Sequence, residues 1–406
     1  METEHDVESL GATQPAEAGR RRRWRPRHVV AAVGAFIVVA AVIATFIQLP
    51  YYAITPGSAP MVAGLIRVPA ADLHSHRGSV LLVYVEITPI RAIEYPYFWL
   101  DSNAAIVSSA AVLGSESTAQ YQTEGEIDMA TAQQAATVVA LRELGYKVPV
   151  SALGALVYGV LPGSPAEASL AVGDVISAVD GHKVNGFIQL EQHLELMAPG
   201  STVHLSVSSY PASNAHDVAV RLGVFRVEGT GPTAPLECFR TGAGTRYPPV
   251  KAVTVKGEPA HTVGCLGIYP QGSGGPAVDG TAYRIGKLPV AVDLSSEGIV
   301  GPSAGLAFTL GLIEALDPAD LTGGLKVAAT GTMSIDGSVG DVGGVAQKTV
   351  AVRNAGASVF LVPVQEYAVA RAKAGPNLKV FAVSSIAQAI GVLERLGGHL
   401  QRRAAG

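Results

Sequence analysis

The sequence predicts an α+β chain with an N-terminal transmembrane helix, a β-rich module and an α/β C-terminal domain. Residues 29–49 form an almost uninterrupted apolar run without a charged residue, and about 20 such residues span a bilayer as a helix. From Val148 to Val224 short apolar runs alternate with Gly- and Pro-containing turns, the pattern of a small β-rich fold. Beyond Leu288 strand-like and helix-like segments alternate, as in a mixed α/β layer.

Residues 1–28 read as a basic cytoplasmic tail ending in Arg20, Arg21, Arg22, Arg23, Arg25 and Arg27. Arginines before a single span hold the N-terminus in the cytoplasm, so the chain after Pro50 is expected on the outer face of the membrane. A nucleic-acid arm is disfavoured by the net charge of −4. A cleaved signal peptide fits less well than a retained anchor, because the run is long and no small-x-small cleavage site follows it.

Residues 50–147 read as an extracytoplasmic N-terminal region with a strand-like run at Ser79–Val85 and a helix over Met129–Leu144. Ala132, Ala135, Ala136, Val139 and Leu144 supply that helix with an apolar face, and Gly145 suits its end. His74 and His76 lack a Cys, Asp or Glu partner at a metal-binding spacing, so they read as a surface pair and no metal is expected. Residues 225–263 are rich in Gly, Pro and Thr and read as an insertion. Cys238 and Cys265, the two cysteines, lie beyond the apolar run, where a structural disulfide is the favoured reading and two buried thiols the alternative.

Residues 264–400 form the α/β domain, with strands expected at Leu288–Val292, Leu325–Ile335, Val359–Val362 and Leu378–Val383. Helices are expected at Ser303–Leu316, Gly343–Asn354 and Ser385–Leu396. Ser303 lies among small residues, Gly301, Pro302, Ala304 and Gly305, at the start of an apolar helix. Such a serine can expose its hydroxyl and use neighbouring backbone N–H groups as an oxyanion site. Val345, Lys348, Thr349 and Val352 follow i, i+3, i+4, i+7 spacing, which sets the lysine on an apolar face. A desolvated amine loses its proton readily and can then accept that of Ser303.

These residues, in order with Thr330-Gly331, Asp336-Gly337-Ser338-Val339-Gly340 and Gly343-Gly344, resemble the Lon-type proteolytic domain with its Ser-Lys dyad. The resemblance implies that Ser303 is the nucleophile, Lys348 the base and Thr330 the residue that orients the lysine. Val300 stands where many ATP-dependent members carry an acidic residue. The strings Pro162-Gly163-Ser164-Pro165-Ala166 and Gly173-Asp174-Val175-Ile176 make residues 148–224 resemble a PDZ domain. That implies binding of an extended peptide by strand addition along Leu153, Gly154, Ala155, Leu156 and Val157, beside a helix near Leu190–Met197.

The three parts together resemble the membrane-anchored PDZ and Lon-type proteases of Gram-positive bacteria. The resemblance implies endoproteolysis of peptides or unfolded segments and, by analogy, assembly into a homo-oligomer. The alternative is a membrane-tethered PDZ adaptor whose Lon-like domain is not catalytic. Gly272-Ser273-Gly274-Gly275-Pro276 approaches the serine string of trypsin-like proteases, but Gln271 breaks the pattern and the domain order is reversed. Gly280–Lys287 approaches a phosphate loop without its spacing or its Ser/Thr. Hence no nucleotide, other cofactor or nucleic acid is expected.

Overall fold

The computed structural model describes residues 26–114, 117–210, 214–227, 261–269 and 280–403. Cys238, Ser273, the arginine-rich tail before Pro26 and most of the expected insertion lie outside the described residues.

The C-terminal domain is built on four parallel strands in the order Lys379–Val383, Val359–Pro363, Lys326–Ala329, Ser79–Leu82. The fourth strand comes from the segment expected to stand apart as residues 50–147. Lys326–Ala329 would otherwise be an edge with unpaired backbone groups, and Ser79–Leu82 pairs with it residue for residue. Val80, Leu82, Met129, Ala136 and Val139 share one core with Leu306, Phe308, Leu310 and Leu361. The core of the C-terminal domain is therefore discontinuous in sequence, and the β-rich module is inserted into it.

The helix expected from Met129 begins earlier, at Thr118, and runs to Glu143. Ser117 caps it by accepting from the Gln120 N–H. Its first half carries few apolar residues, so periodicity alone could not reveal it. Leu288–Val292 is not a strand; the nearby pairing is between Asp293–Leu294 and Ile66–Arg67. The expected strand Leu325–Ile335 is broken at Thr330-Gly331, after which Thr332–Met333 pairs with Val339–Gly340.

In the β-rich module the strand order is His216–Arg221, Thr202–Ser209, Asp174–Val179, Val150–Leu156, Thr281–Ile285. Val150–Leu156 is thus paired on both edges, by Asp174–Val179 and by Thr281–Ile285. This corrects the expected groove: Gly154, Ala155, Leu156 and Val157 are buried and offer no edge to an added strand. Ile268–Tyr269 pairs only with Gly159–Val160 among the described residues. Leu266 and Ile268 join Leu190 and Leu194 of the helix Phe187–Glu195 in the module's core. Cys265 is disulfide-bonded. Gly280–Lys287, the near-match to a phosphate loop, is occupied by the strand Thr281–Ile285.

The helix expected over residues 29–49 does not continue to Leu49. The helix spans Pro26–Ala44, and Gln48 already belongs to the strand Gln48–Pro56, which pairs with Val85–Arg91 and Ala105–Ser108. Its apolar part, residues 29–44, is about 24 Å long, short of the roughly 30 Å hydrocarbon core. Among the described residues no helix is long and apolar enough to cross a membrane.

Candidate active site

A 3-10 turn, Pro302–Ala304, leads into the helix Gly305–Leu316 and presents Ser303 half-buried. Gly301 has φ 93°, a conformation that favours glycine. A Cβ at Gly305 would lie 2.8 Å from the backbone nitrogen and Cβ of Met333, so the close approach of these segments requires glycine. The Ser303 carbonyl accepts from the Gly331 N–H at 3.0 Å, and the Leu306 N–H donates to the Gly331 carbonyl at 3.0 Å. The Ser303 turn is therefore stitched to the strand break at Thr330-Gly331.

Lys348 lies on the helix Val345–Asn354, where Val345, Lys348, Thr349 and Val352 are all buried. Gly344 precedes it with φ 68°. The Lys348 Nζ donates to Thr330 Oγ1 at 3.2 Å, and that hydroxyl donates to the Ser303 carbonyl at 3.2 Å. Thr330 thus touches the Lys348 amine with one side of its hydroxyl and the Ser303 backbone with the other. Burial pushes the Lys348 pKa down from 10.5 to about 7, against the opposing pull of the Glu366 charge. Glu366 is itself raised, chiefly by burial, while one of its oxygens accepts from the Val342 N–H.

Ser303 and Lys348 line one cleft of about 560 Å³. No hydrogen bond joins Ser303 Oγ to Lys348 Nζ among the described residues; catalytic contacts commonly tighten only when substrate fills the site. Around them stand Gly301, Pro302, Val300, Gly343 and Gly344. The cleft also contains residues that the sequence reading did not single out: Tyr121, Glu124 and Asp128 from the helix Thr118–Glu143. The available signal was the i, i+4 spacing of the two acids, which without the fold reads as a solvated face.

Away from the cleft, His76 is not an isolated surface group. Its Nε2 is 2.9 Å from the Asp317 carbonyl oxygen, and its ring lies near Glu314 and Asp320, with one potential ligand atom from each within 4.8 Å of the others. The Thr322 hydroxyl is 2.9 Å from Glu314 Oε1 and 2.8 Å from Asp320 Oδ1. Its one proton can serve only one of these oxygens at a time.

Residues 137–208 match the PDZ domain family, and residues 291–390 match the Lon protease (S16) C-terminal proteolytic domain. No curated protein matches the chain. Among solved structures, the PDZ domains of SdrC-like proteins from Listeria monocytogenes and Listeria innocua are each 21% identical and cover 17% of this chain. The matches cover 72% and 76% of those chains, with TM-scores of 0.16 for both. A solution structure of a Geobacillus thermodenitrificans protein is 29% identical over 17% of this chain and 77% of that one, at a TM-score of 0.15.

Proposed function

We propose that this chain, which joins a PDZ domain to a Lon-type C-terminal proteolytic domain, is an ATP-independent serine endopeptidase with a Ser303–Lys348 dyad. The observation that carries the reading is the buried Lys348 amine, held by the same threonine hydroxyl that holds the Ser303 backbone. With a pKa pushed down to about 7, a large share of this amine is neutral near neutral pH. Ser303 Oγ attacks the scissile carbonyl while Lys348 Nζ takes its proton. The same proton then passes to the leaving amine, and water, deprotonated by the neutral lysine, releases the acyl group. The Ser303 and Ala304 N–H groups of the turn are the donors assigned to the developing oxyanion, since those of Gly305 and Leu306 are taken by the Pro302 and Gly331 carbonyls.

Substrates on this reading are peptides or unfolded segments, recruited by the PDZ domain. With Val150–Leu156 bordered by Thr281–Ile285 on one edge and by Asp174–Val179 on the other, the strand Ile268–Tyr269 beside the helix Phe187–Glu195 is the edge that fits strand addition.

Attachment to a lipid bilayer and extracytoplasmic action belong to the same reading. Support comes from the exposed Phe36, Ile37 and Val38 on the apolar helix. The short helix Tyr95–Leu100 adds Tyr97 and Trp99, 69% and 70% exposed, next to the helix end where the Ile93 N–H meets the Ala44 carbonyl. Exposed aromatic residues at that level suit a headgroup interface.

The test is cleavage of an unfolded protein by purified full-length chain without nucleotide, compared with Ser303→Ala. Activity that Ser303→Ala abolishes while the fold is retained supports the reading. Equal cleavage by both proteins removes Ser303 as the nucleophile.

A further inference from the structure

The helix Thr118–Glu143 forms part of the wall of the Ser303 cleft. It is tied to the nucleophile turn by the Gly301 N–H, which donates to the Gly125 carbonyl at 2.8 Å. Gly125 also faces Val300 so closely that a Cβ there would lie 3.1 Å from the valine Cβ. Asp128 follows almost one turn later, with Glu124 four residues before it on the same helical face. Its position relative to the nucleophile turn is therefore set by packing.

Asp128 is only 9% exposed, yet among the described residues no hydrogen bond or ion pair reaches its carboxyl group. Burial alone pushes its pKa up from 3.8 to about 7. Lys348 does not serve as its partner, since the charge acting on that amine is Glu366. A desolvated carboxyl without a partner is costly in a core. This one instead borders the cleft in which a substrate would lie. A cation arriving there would ionise Asp128 and form a charge-assisted contact in a site poor in competing water.

We propose that Asp128, flanked by Glu124, forms a subsite for a cationic nitrogen of the substrate, either a Lys or Arg side chain or the peptide's terminal ammonium. The inference rests on the reading of this cleft as a peptidase active site.

The test uses a fixed peptide in which one lysine, or norleucine as its uncharged counterpart, is walked through successive positions. Each peptide is made with free and with acetylated N-termini. Wild-type full-length protein should favour lysine over norleucine by about 10-fold or more at one position, or favour the free over the acetylated terminus. The acetylated set separates the two sources. In Asp128→Asn the preferred ratio should fall toward one. A wild-type ratio near one in both sets, or a ratio that survives Asp128→Asn, overturns the proposal.

Binding of the same peptides to Ser303→Ala protein, read by fluorescence anisotropy, keeps the test independent of turnover. Absence of cleavage together with cation-selective, Asp128-dependent binding would sink the peptidase reading and leave the subsite standing. Cleavage without such selectivity would do the reverse.

Discussion

In the proposed dyad Lys348 couples catalysis to stability, and replacing it separates the two. In an unfolded chain its amine titrates near 10.5, whereas burial holds it at about 7 in the fold. Between these values the unfolded state binds one more proton than the folded state, so stability rises with pH. Integrated over that window, the buried lysine costs about 5 kcal/mol at pH 6, about 3 at pH 8 and about 1 at pH 10. Lys348→Met keeps the length of the side chain and removes this cost. It also loses the contact to Thr330, worth about 1 kcal/mol; the attraction to Glu366 is already contained in the shifted pKa. The variant should therefore be more stable than the parent by about 4 kcal/mol at pH 6, with the gap closing by pH 10, while cleavage is abolished. Denaturant unfolding at several pH values measures the first effect. In the parent, kcat/KM should rise about tenfold from pH 6 to 8 and then level as the neutral amine saturates. Asp128 titrates near the same pH with the opposite sign: its raised pKa costs stability fully above about 7 and ceases to do so well below 4. The Asp128→Asn background thus isolates the lysine. A flat rate profile from pH 6 to 9 in stable protein, or no low-pH stabilisation by Lys348→Met, would refute the argument.

Thr330→Val preserves shape and removes both hydroxyl contacts, so kcat should fall about 10- to 100-fold with little change in KM; unchanged kcat would reduce Thr330 to a packing residue. In hydrogen exchange, amides of Val150–Leu156 should be protected with or without bound peptide, because a strand borders each edge, and new protection should appear at Ile268–Tyr269. Peptide-dependent protection confined to Val150–Leu156 would restore the original groove. Full-length protein should float with liposomes, and Tyr97→Ser with Trp99→Ser should weaken flotation. Recovery of all the protein in the lipid-free fraction counts against bilayer attachment. Protease added to intact cells should reach the PDZ and proteolytic domains, and their protection until lysis would contradict extracytoplasmic action.

Local chemistry was legible in the sequence where it lies on contiguous, periodic segments. Lys348 was found because its helix carries the i, i+3, i+4, i+7 pattern that burial requires. The Ser303 turn is legible because close approach to Met333 and a positive φ at Gly301 leave a run of small residues. What depends on pairing between distant segments was not legible. Ser79–Leu82 reads like any short apolar strand, and nothing local says that it completes a sheet begun more than two hundred residues later. The same holds for Thr281–Ile285, which closes the edge of Val150–Leu156 and moves the candidate peptide groove elsewhere. The apolar run was legible as apolar, but the end of its helix was not: Gln48 and Leu49 lie in a strand instead of extending the helix. Asp128 was missed for a different reason. On an unplaced helix an acid among polar neighbours reads as solvated, and only the packing of Gly125 against Val300 turns that face into the cleft.

The central claim is that Lys348 activates Ser303 as a nucleophile. The most direct measurement is adduct mapping by mass spectrometry after treatment with a serine-directed acylating probe. One adduct per chain on Ser303 is expected at pH 8, strongly reduced at pH 5.5 and absent in Lys348→Arg, whose guanidinium stays protonated. Absence of labelling in folded wild-type protein, or equal labelling of Ser303 in Lys348→Arg, would contradict the account.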